Sequence, residues 1–192
     1  MDSAARIQLG PHAVALLRGG PLAAVKVAAL ALHLEGAASP AQPGTMRTSG
    51  VAAQVAAHPL EKAVHTSLYR RPAGIRDLLK QPRIRTSLED LRAELTAAGL
   101  LRSFPRSRTR DARNALDELR AQLPLPAGRE GLSRDAVLLA VALYDDEALT
   151  VLAPRFARDA GLLGRGGAAD TERPQRGSGG GGGGLGAGGA AF

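Results

Sequence analysis

Two histidines and a glutamate are spaced so that they could hold a metal ion. His58, Glu61 and His65 fall at the start of a predicted helix, and they lie within about 60° of one another on the helical wheel. Two imidazoles and a carboxylate form a ligand set for zinc or iron. The simpler interpretation is that His58 is the entry residue of the helix, Glu61 favours its positive end and His65 is solvated. We adopt this interpretation and predict no metal site.

Covalent and acid–base catalysis have little support in the sequence. The chain has no cysteine, which excludes a thiolate nucleophile, a disulfide framework and a cysteine-ligated metal. It has no Gly-x-Ser-x-Gly motif to present a serine nucleophile. His12 and His33 have no evident acid or nucleophile partner, and His33 lies in an apolar helix as a core histidine. We therefore predict no catalytic residue, no cofactor and no enzymatic activity.

Three consecutive carboxylates, Asp145, Asp146 and Glu147, stand at a predicted helix start. Such a cluster could hold a divalent ion. Capping of the helix explains the same residues without an ion, and we adopt that explanation.

The net charge of +7 arises in one central block of the chain. Between Arg70 and Arg113 there are twelve basic and five acidic residues. A basic block suits nucleic acid or anionic lipid, although a solvated surface that maintains solubility has the same composition. The candidate anion-binding residues are all arginines: Arg70, Arg71, Arg76, Arg83, Arg85, Arg102, Arg106, Arg108, Arg110 and Arg113.

The elements that must position these residues are mainly helical. Abundant alanine and leucine with few aromatic residues predict a mainly α fold. The apolar run Leu22–Leu34 predicts a central buried helix, which follows a break at Gly19-Gly20-Pro21 and ends at a left-handed Gly36. Gln42-Pro43-Gly44 predicts the turn of a small hairpin with Thr45–Thr48 as its return strand.

The stretch from His58 to Pro105 has the element order of a winged helix-turn-helix unit. The predicted order is a helix from His58, a short helix over Ile75–Lys80, a helix capped by Thr86 or Ser87, and a strand over Leu100–Phe104. Later helices are predicted over 111–123 and 133–144, the latter capped by Ser133, and another from Asp145 that Pro154 interrupts.

We therefore predict winged-helix-like helical lobes with one or two short β-hairpins. The divisions are an N-terminal lobe (1–57), a winged-helix-like unit (58–105), C-terminal helices on the same core (106–161) and a disordered Gly-rich tail (162–192).

The third helix of this unit bears on the choice of partner. Over Ser87–Ala98 it carries Glu89, Asp90 and Glu94 against only Arg92, so phosphate should repel it and sequence-specific DNA readout is not expected. Binding of single strands needs exposed aromatic rings, and Phe104 is expected in the core. An acidic third helix suits a protein partner better.

Neither apolar run predicts a membrane span. Leu22–Leu34 and Ala136–Tyr144 are both shorter than the ~20 residues that cross a bilayer. The start of the chain lacks the pattern of a signal peptide. We predict no transmembrane segment and a cytoplasmic location.

Four motifs in a fixed order carry a family resemblance. They are Gly19-Gly20-Pro21, His58-Pro59-Leu60-Glu61 with Ala63-Val64, Leu91-Arg92 through Leu95 to Gly99-Leu100-Leu101, and the Gly-rich stretch Gly177–Gly189. With them the chain resembles an uncharacterised actinobacterial family over most of its length. Many members carry transmembrane segments after this domain, and the resemblance implies no activity or substrate. The apolar helix and the Gly-Leu-Leu helix end are also similar to the Golgi phosphoprotein family of lipid-binding helical proteins.

The sequence thus predicts a non-catalytic interaction module that binds a protein partner. The alternative is non-specific binding to nucleic acid, or to an anionic membrane surface, through the Arg70–Arg113 block.

Overall fold

The computed structural model describes residues 9–49, 56–104 and 107–164. Within these ranges the chain forms eight helices and one hairpin. The helices are α1 (Pro11–Leu34), α2 (Pro59–Arg70), α3 (Ile75–Lys80), α4 (Pro82–Ala97), α5 (Arg110–Gln122), α6 (Arg134–Tyr144), α7 (Asp146–Leu152) and α8 (Pro154–Asp159). The strands are β1 (Ala38–Pro40) and β2 (Met46–Thr48).

Helix α1 lies at the centre of the fold, and α6 packs along it. Every residue from Ala23 to Leu32 is buried, including Lys26, which confirms the central helix predicted from the apolar run. Buried side chains from all eight helices join one hydrophobic core. The core extends to Leu162, whereas the Gly-rich tail predicted for 162–192 lies outside the described residues from position 165 onward.

The predicted break before the apolar run is a kink inside α1. Gly20 has φ 73° and ψ −163°, a region of backbone space that only glycine occupies without strain. Pro21 then begins the second half of the helix, where its missing N–H is tolerated because a first turn has no helical partner for it.

We expect Gly20→Ala to lower the free energy of unfolding by about 1–3 kcal/mol, because alanine is strained at this φ and ψ. No heavy atom lies within 4 Å of the added Cβ, so the cost is conformational rather than steric. Gly128→Ala is the matched control, since its Cβ also meets nothing within 4 Å and its φ is not positive. We expect that control to change stability by less than about 1 kcal/mol. Equal losses in urea titrations of the two variants would contradict the assignment of strain to Gly20.

The predicted hairpin is confirmed. Strands β1 and β2 pair antiparallel, with Ser39 opposite Arg47. Met46 also forms an isolated bridge with Ala73, which ties the hairpin to the segment before α3. The Gly44 N–H at its turn donates to the Asp159 carbonyl at 2.9 Å, so the hairpin also contacts α8.

The predicted left-handed helix end at Gly36 is confirmed, and Gly99 and Gly161 also follow helices with positive φ. Next to Gly36 the Ala37 N–H donates to the Leu32 carbonyl at 2.7 Å. This is the long hydrogen bond of a Schellman cap, and it satisfies a carbonyl that the helix leaves without a donor.

The fold class is mainly α, with a single two-stranded hairpin among the described residues. A winged-helix arrangement is not shown. The strand predicted over Leu100–Phe104 is reduced to one bridge, between Leu101 and Arg108.

The predicted cap of the third helix is wrong. Helix α4 begins at Pro82, and no side chain caps it. Thr86 lies inside the helix, where its hydroxyl donates to the Pro82 carbonyl at 3.1 Å. A proline suits a first turn because its φ is already helical, so the helix starts there and not at the threonine that resembles a cap.

In the described ranges α1 is the helix with the length and hydropathy to cross a membrane. An 18-residue window in its 24 residues has a mean hydropathy of 1.5. The run Leu22–Leu34, which was predicted to be too short to cross a membrane, is therefore the second part of α1 and follows the kink at Gly20. Within the fold 72% of that window is buried, and the core helix of a soluble protein and a signal sequence both meet the same criteria. The cytoplasmic location stays a prediction.

Candidate functional site

The three candidate metal ligands take separate roles. His58 is the N-cap of α2, as predicted, and its Nδ1 accepts the Leu60 N–H at 3.1 Å. Glu61 lies in the first turn of α2, and its Oε2 accepts the Ala57 N–H at 3.0 Å. His65 is buried, so its predicted solvation is wrong. No group of three His, Cys, Asp or Glu side chains in the described part of the chain is placed to hold a metal ion.

Glu61 instead joins three helices. Its Oε1 lies 3.2 Å from Nε2 of His12 on α1 and 3.3 Å from a terminal guanidinium nitrogen of Arg134 on α6. Nε of Arg134 also lies 2.7 Å from a carboxylate oxygen of Glu35, at the end of α1. The ring of His12 stacks on that of His58, with centroids 4.1 Å apart and planes at 10°. The sequence offered no sign of the His12–Glu61 pair because the two residues are far apart along the chain.

Burial dominates the ionisation of this cluster. Burial and the nearby His12 lower the pKa of His58 to about 4, and Glu61 offsets only part of that effect. Burial alone would raise the pKa of Glu61, but His12, Arg134 and the local backbone N–H together hold it below its ordinary value. The cluster therefore contains a Glu61 carboxylate that contacts Arg134 and His12, beside a His58 ring whose lowered pKa keeps it neutral near pH 7. These contacts join α1, α2 and α6.

A second buried network surrounds Lys26 on α1. Its Nζ lies 3.0 Å from Oδ1 of Asp145 and 2.7 Å from Oδ1 of Asp146. Arg18 also pairs with Asp145, at 3.0 Å. Capping was the predicted role of these aspartates, but no side chain caps α7, so that prediction is wrong. Pairing with a buried cation is their role, because an ammonium group inside a core requires compensating charge.

The backbone at this junction is strained. Asp145 has φ 50° and ψ −117° between α6 and α7, and it is the one non-glycine residue with positive φ among those described. Non-glycine residues persist in such conformations when surrounding contacts hold them there. The ion pairs to Lys26 and Arg18 supply those contacts.

His33 has the partners expected of a structural histidine. Its ring stacks on Phe156 with centroids 3.8 Å apart, and its Nδ1 lies 3.1 Å from the Ala38 carbonyl oxygen. Burial lowers its pKa, the hydrogen bond to Ala38 opposes that effect, and the charge of Arg129 adds to it. These contacts fit the predicted structural role.

The candidate anion-binding arginines are surface residues. Nine of the ten are described and exposed, while Arg106 lies outside the described residues. None of these nine has a carboxylate within 4 Å in the described ranges: Arg70, Arg71, Arg76, Arg83, Arg85, Arg102, Arg108, Arg110 and Arg113. The block therefore presents positive charge to the solvent from α2, α3, α4, α5 and their loops.

Two expectations about this surface are wrong. Because α4 begins at Pro82, it includes Arg83 and Arg85 as well as Arg92, and these three cations balance its three carboxylates. The helix is thus not net negative. Phe104 was expected in the core, yet it is 93% exposed, because the short loop after Leu101 carries it outward instead of forming a strand.

A groove lies between the kink of α1, helix α4 and the loop 101–108. Its volume is about 790 Å³. Leu16, Leu17 and Gly20 of α1 face Ala93 and Ala97 of α4 across it. Leu101 also lines the groove, and the charged and hydroxyl-bearing lining residues are Glu89, Arg92, Thr96, Arg102, Ser103, Ser107 and Arg108. Periodicity could not have predicted this groove, because the kink of α1 and a loop distant in the sequence form it together.

Comparisons with protein-family models, with curated proteins and with solved structures give no match for this chain.

Proposed function

We propose that the chain is a non-catalytic interaction module that binds a segment of a partner protein in the groove between α1, α4 and the loop 101–108. The composition of the groove supports this proposal. Its volume of about 790 Å³ suits a few side chains of a bound segment, since ligand pockets span roughly 300–1,000 Å³. Its lining combines apolar side chains with charged and hydroxyl-bearing ones, as protein interfaces do.

The exposure of α4 adds to the proposal. Ala93 and Ala97 lie on the groove and are exposed, so a partner side chain can reach the helix surface without displacing a core residue. The two buried polar networks are separate from this surface. They hold helices together through ion pairs, and the groove is left as the concave surface for a ligand.

A second candidate function is non-specific binding to nucleic acid or to an anionic membrane surface. The exposure of two aromatic rings favours it, since Tyr69 is 76% and Phe104 is 93% exposed. Each stands close in sequence to exposed arginines, and exposed rings beside cations can stack on bases or lie in a membrane interface.

Selection of a peptide library on the full chain tests the first candidate. Selected peptides should bind the wild-type chain and lose affinity by about tenfold or more for Ala97→Trp, because the indole fills the groove from an exposed helix position. Ala121→Trp is the matched control, since Ala121 is exposed on α5 and does not line the groove. It should leave binding unchanged.

Two outcomes would overturn the proposal. One is a selection that yields no peptide, or yields only peptides that bind Ala97→Trp and Ala121→Trp equally well. The other is tighter binding of a labelled random duplex or of anionic vesicles. For the duplex, log K should then fall with log salt by about 0.9 per neutralised phosphate, and the second candidate would replace the first.

A further inference from the structure

The charge of the groove is unequal along its rim. Arg92 has a partner within its own helix, since its guanidinium lies 3.8 Å from a carboxylate oxygen of Glu89. Arg102 and Arg108 also line the groove and are exposed, and neither has a carboxylate within 4 Å in the part of the chain that the structure describes. Two positive charges at the loop end are therefore available to a ligand.

Backbone hydrogen bonds fix the two ends of this loop. The Arg102 N–H donates to the Ser107 carbonyl at 2.9 Å, and Leu101 forms a bridge with Arg108. The Thr109 N–H donates to the Leu100 carbonyl at 3.1 Å. The two arginines thus start from adjacent, antiparallel backbone segments, so less freedom is lost when both bind one ligand.

We infer that the partner segment is acidic, with carboxylate side chains that pair with Arg102 and Arg108 and neighbouring apolar side chains that contact Ala93 and Ala97. The inference rests on the proposed function and specifies its ligand. A guanidinium matches a carboxylate through two parallel hydrogen bonds, and the hydroxyls of Ser103 and Ser107 are further donors on the same lining. Ala93 and Ala97 on α4 have small side chains, which leaves room beside them for the apolar residues of the segment.

Carboxylates in and near the groove favour a protein segment over a polyanion, although the net charge of α4 is zero. Glu89 lines the groove and Asp90 and Glu94 are exposed on the same helix. A regular phosphate backbone would meet these carboxylates as well as the arginines. A protein segment can place its acidic side chains at the loop end alone, and so it complements both signs of charge.

Fluorescence anisotropy with the full chain tests the inference. The probe is a labelled peptide that alternates Asp and Leu, and its matched control has Asn in place of every Asp. The Asp peptide should bind tighter than the Asn peptide by about tenfold, because charge-assisted hydrogen bonds are stronger than neutral ones. The double variant Arg102→Gln/Arg108→Gln should remove that difference.

A matched double variant separates the groove from general attraction. Arg76→Gln/Arg83→Gln removes the same charge from exposed positions that do not line the groove, and it should retain most of the affinity. Equal losses in the two double variants, or equal binding of the two peptides, would overturn the inference. A labelled oligothymidylate that displaces the Asp peptide from the same arginines would also overturn it.

The library selection keeps the two proposals distinguishable. Selected peptides that Ala97→Trp rejects but that lack Asp and Glu would leave the interaction function in place and refute the acidic ligand. Failure to select any peptide would refute the interaction function itself.

Discussion

Lys26→Met is expected to lower the free energy of unfolding by about 3 kcal/mol, because it removes the buried cation that pairs with two partly buried carboxylates. Lys26 is 1% exposed, and both Asp145 and Asp146 pair with it. Loss of one partner of a buried pair costs about 3–5 kcal/mol. We expect the lower end of that range, because Arg18 still pairs with Asp145 and the side chain of Asp146 is 42% exposed.

An exposed ion pair with the same nitrogen–oxygen distance is the matched control. Lys80 Nζ lies 3.0 Å from Oδ1 of Asp77, the same distance as from Lys26 to Asp145, but its side chain is 75% exposed. Lys80→Met should therefore change the free energy of unfolding by less than about 1 kcal/mol. Urea titration of both variants measures the difference, and similar losses would show that burial does not control the strength of these pairs.

A second variant links the loss to charge. Adding Asp146→Asn to Lys26→Met should recover part of the lost stability, because a neutral amide costs less to leave without a cation than a carboxylate does. A further loss in the double variant would show that the aspartate stabilises α7 by another route.

The elements predicted well are those specified by neighbouring residues. The kink at Gly20, the hairpin turn at Gly44 and the cap at Ser133 each depend on one residue and its immediate neighbours. Ser133 accepts the Ala136 N–H at 3.2 Å, as its position before an apolar run predicted. These three signals survive in the fold, whereas the local cap signal at Thr86 does not, because Pro82 starts the helix earlier.

The polar networks were not predictable, because they depend on long-range packing. Lys26 and Asp145 are 119 residues apart in sequence, and Glu61 and Arg134 are 73 apart. Only the packing of α6 along α1 brings such groups together. A lysine in an apolar run was a usable signal, since a buried ammonium group requires an acidic partner, but the sequence does not say which acid.

The groove was unpredictable for a related reason. Its arginines, Arg92, Arg102 and Arg108, lie within the Arg70–Arg113 block. Their placement depends on a helix that begins at Pro82 and on a loop that is closed by one bridge instead of a strand. A shift of a few residues at one helix start changed the net charge assigned to α4 from negative to zero.

Acidification is expected to destabilise the protein through His58. Its pKa in the fold is about 4, below the ordinary 6.5, so the unfolded chain binds the proton more tightly. The stability that the neutral ring contributes is complete above pH 6.5 and is lost as the pH falls toward 4. The difference between the two pKa values corresponds to at most about 3 kcal/mol, and solvent around the half-buried ring reduces it to about 2 kcal/mol.

Burial of the ring determines this sign, and the polar groups around it modify the size of the shift. His12 of α1 stacks on His58, Glu61 of α2 lies below, and Arg134 of α6 and Glu35 at the end of α1 complete the cluster. The lowered pKa of Glu61 also makes the fold less stable in acid. Its effect begins only as the pH falls below 4.5, the ordinary pKa of a glutamate. The lowered pKa of His33 also adds to the acid sensitivity.

His58→Asn isolates the contribution of this one ring. Asparagine keeps an acceptor for the Leu60 N–H, as a good N-cap residue, but it does not titrate. The drop in unfolding free energy between about pH 7 and about pH 4 should therefore be smaller in His58→Asn than in the wild type, by about 2 kcal/mol. His33 and Glu61 are present in both proteins, so their effects cancel in the comparison. Parallel pH profiles from urea titrations would refute the assignment to His58, because the acid sensitivity would then come from the other groups.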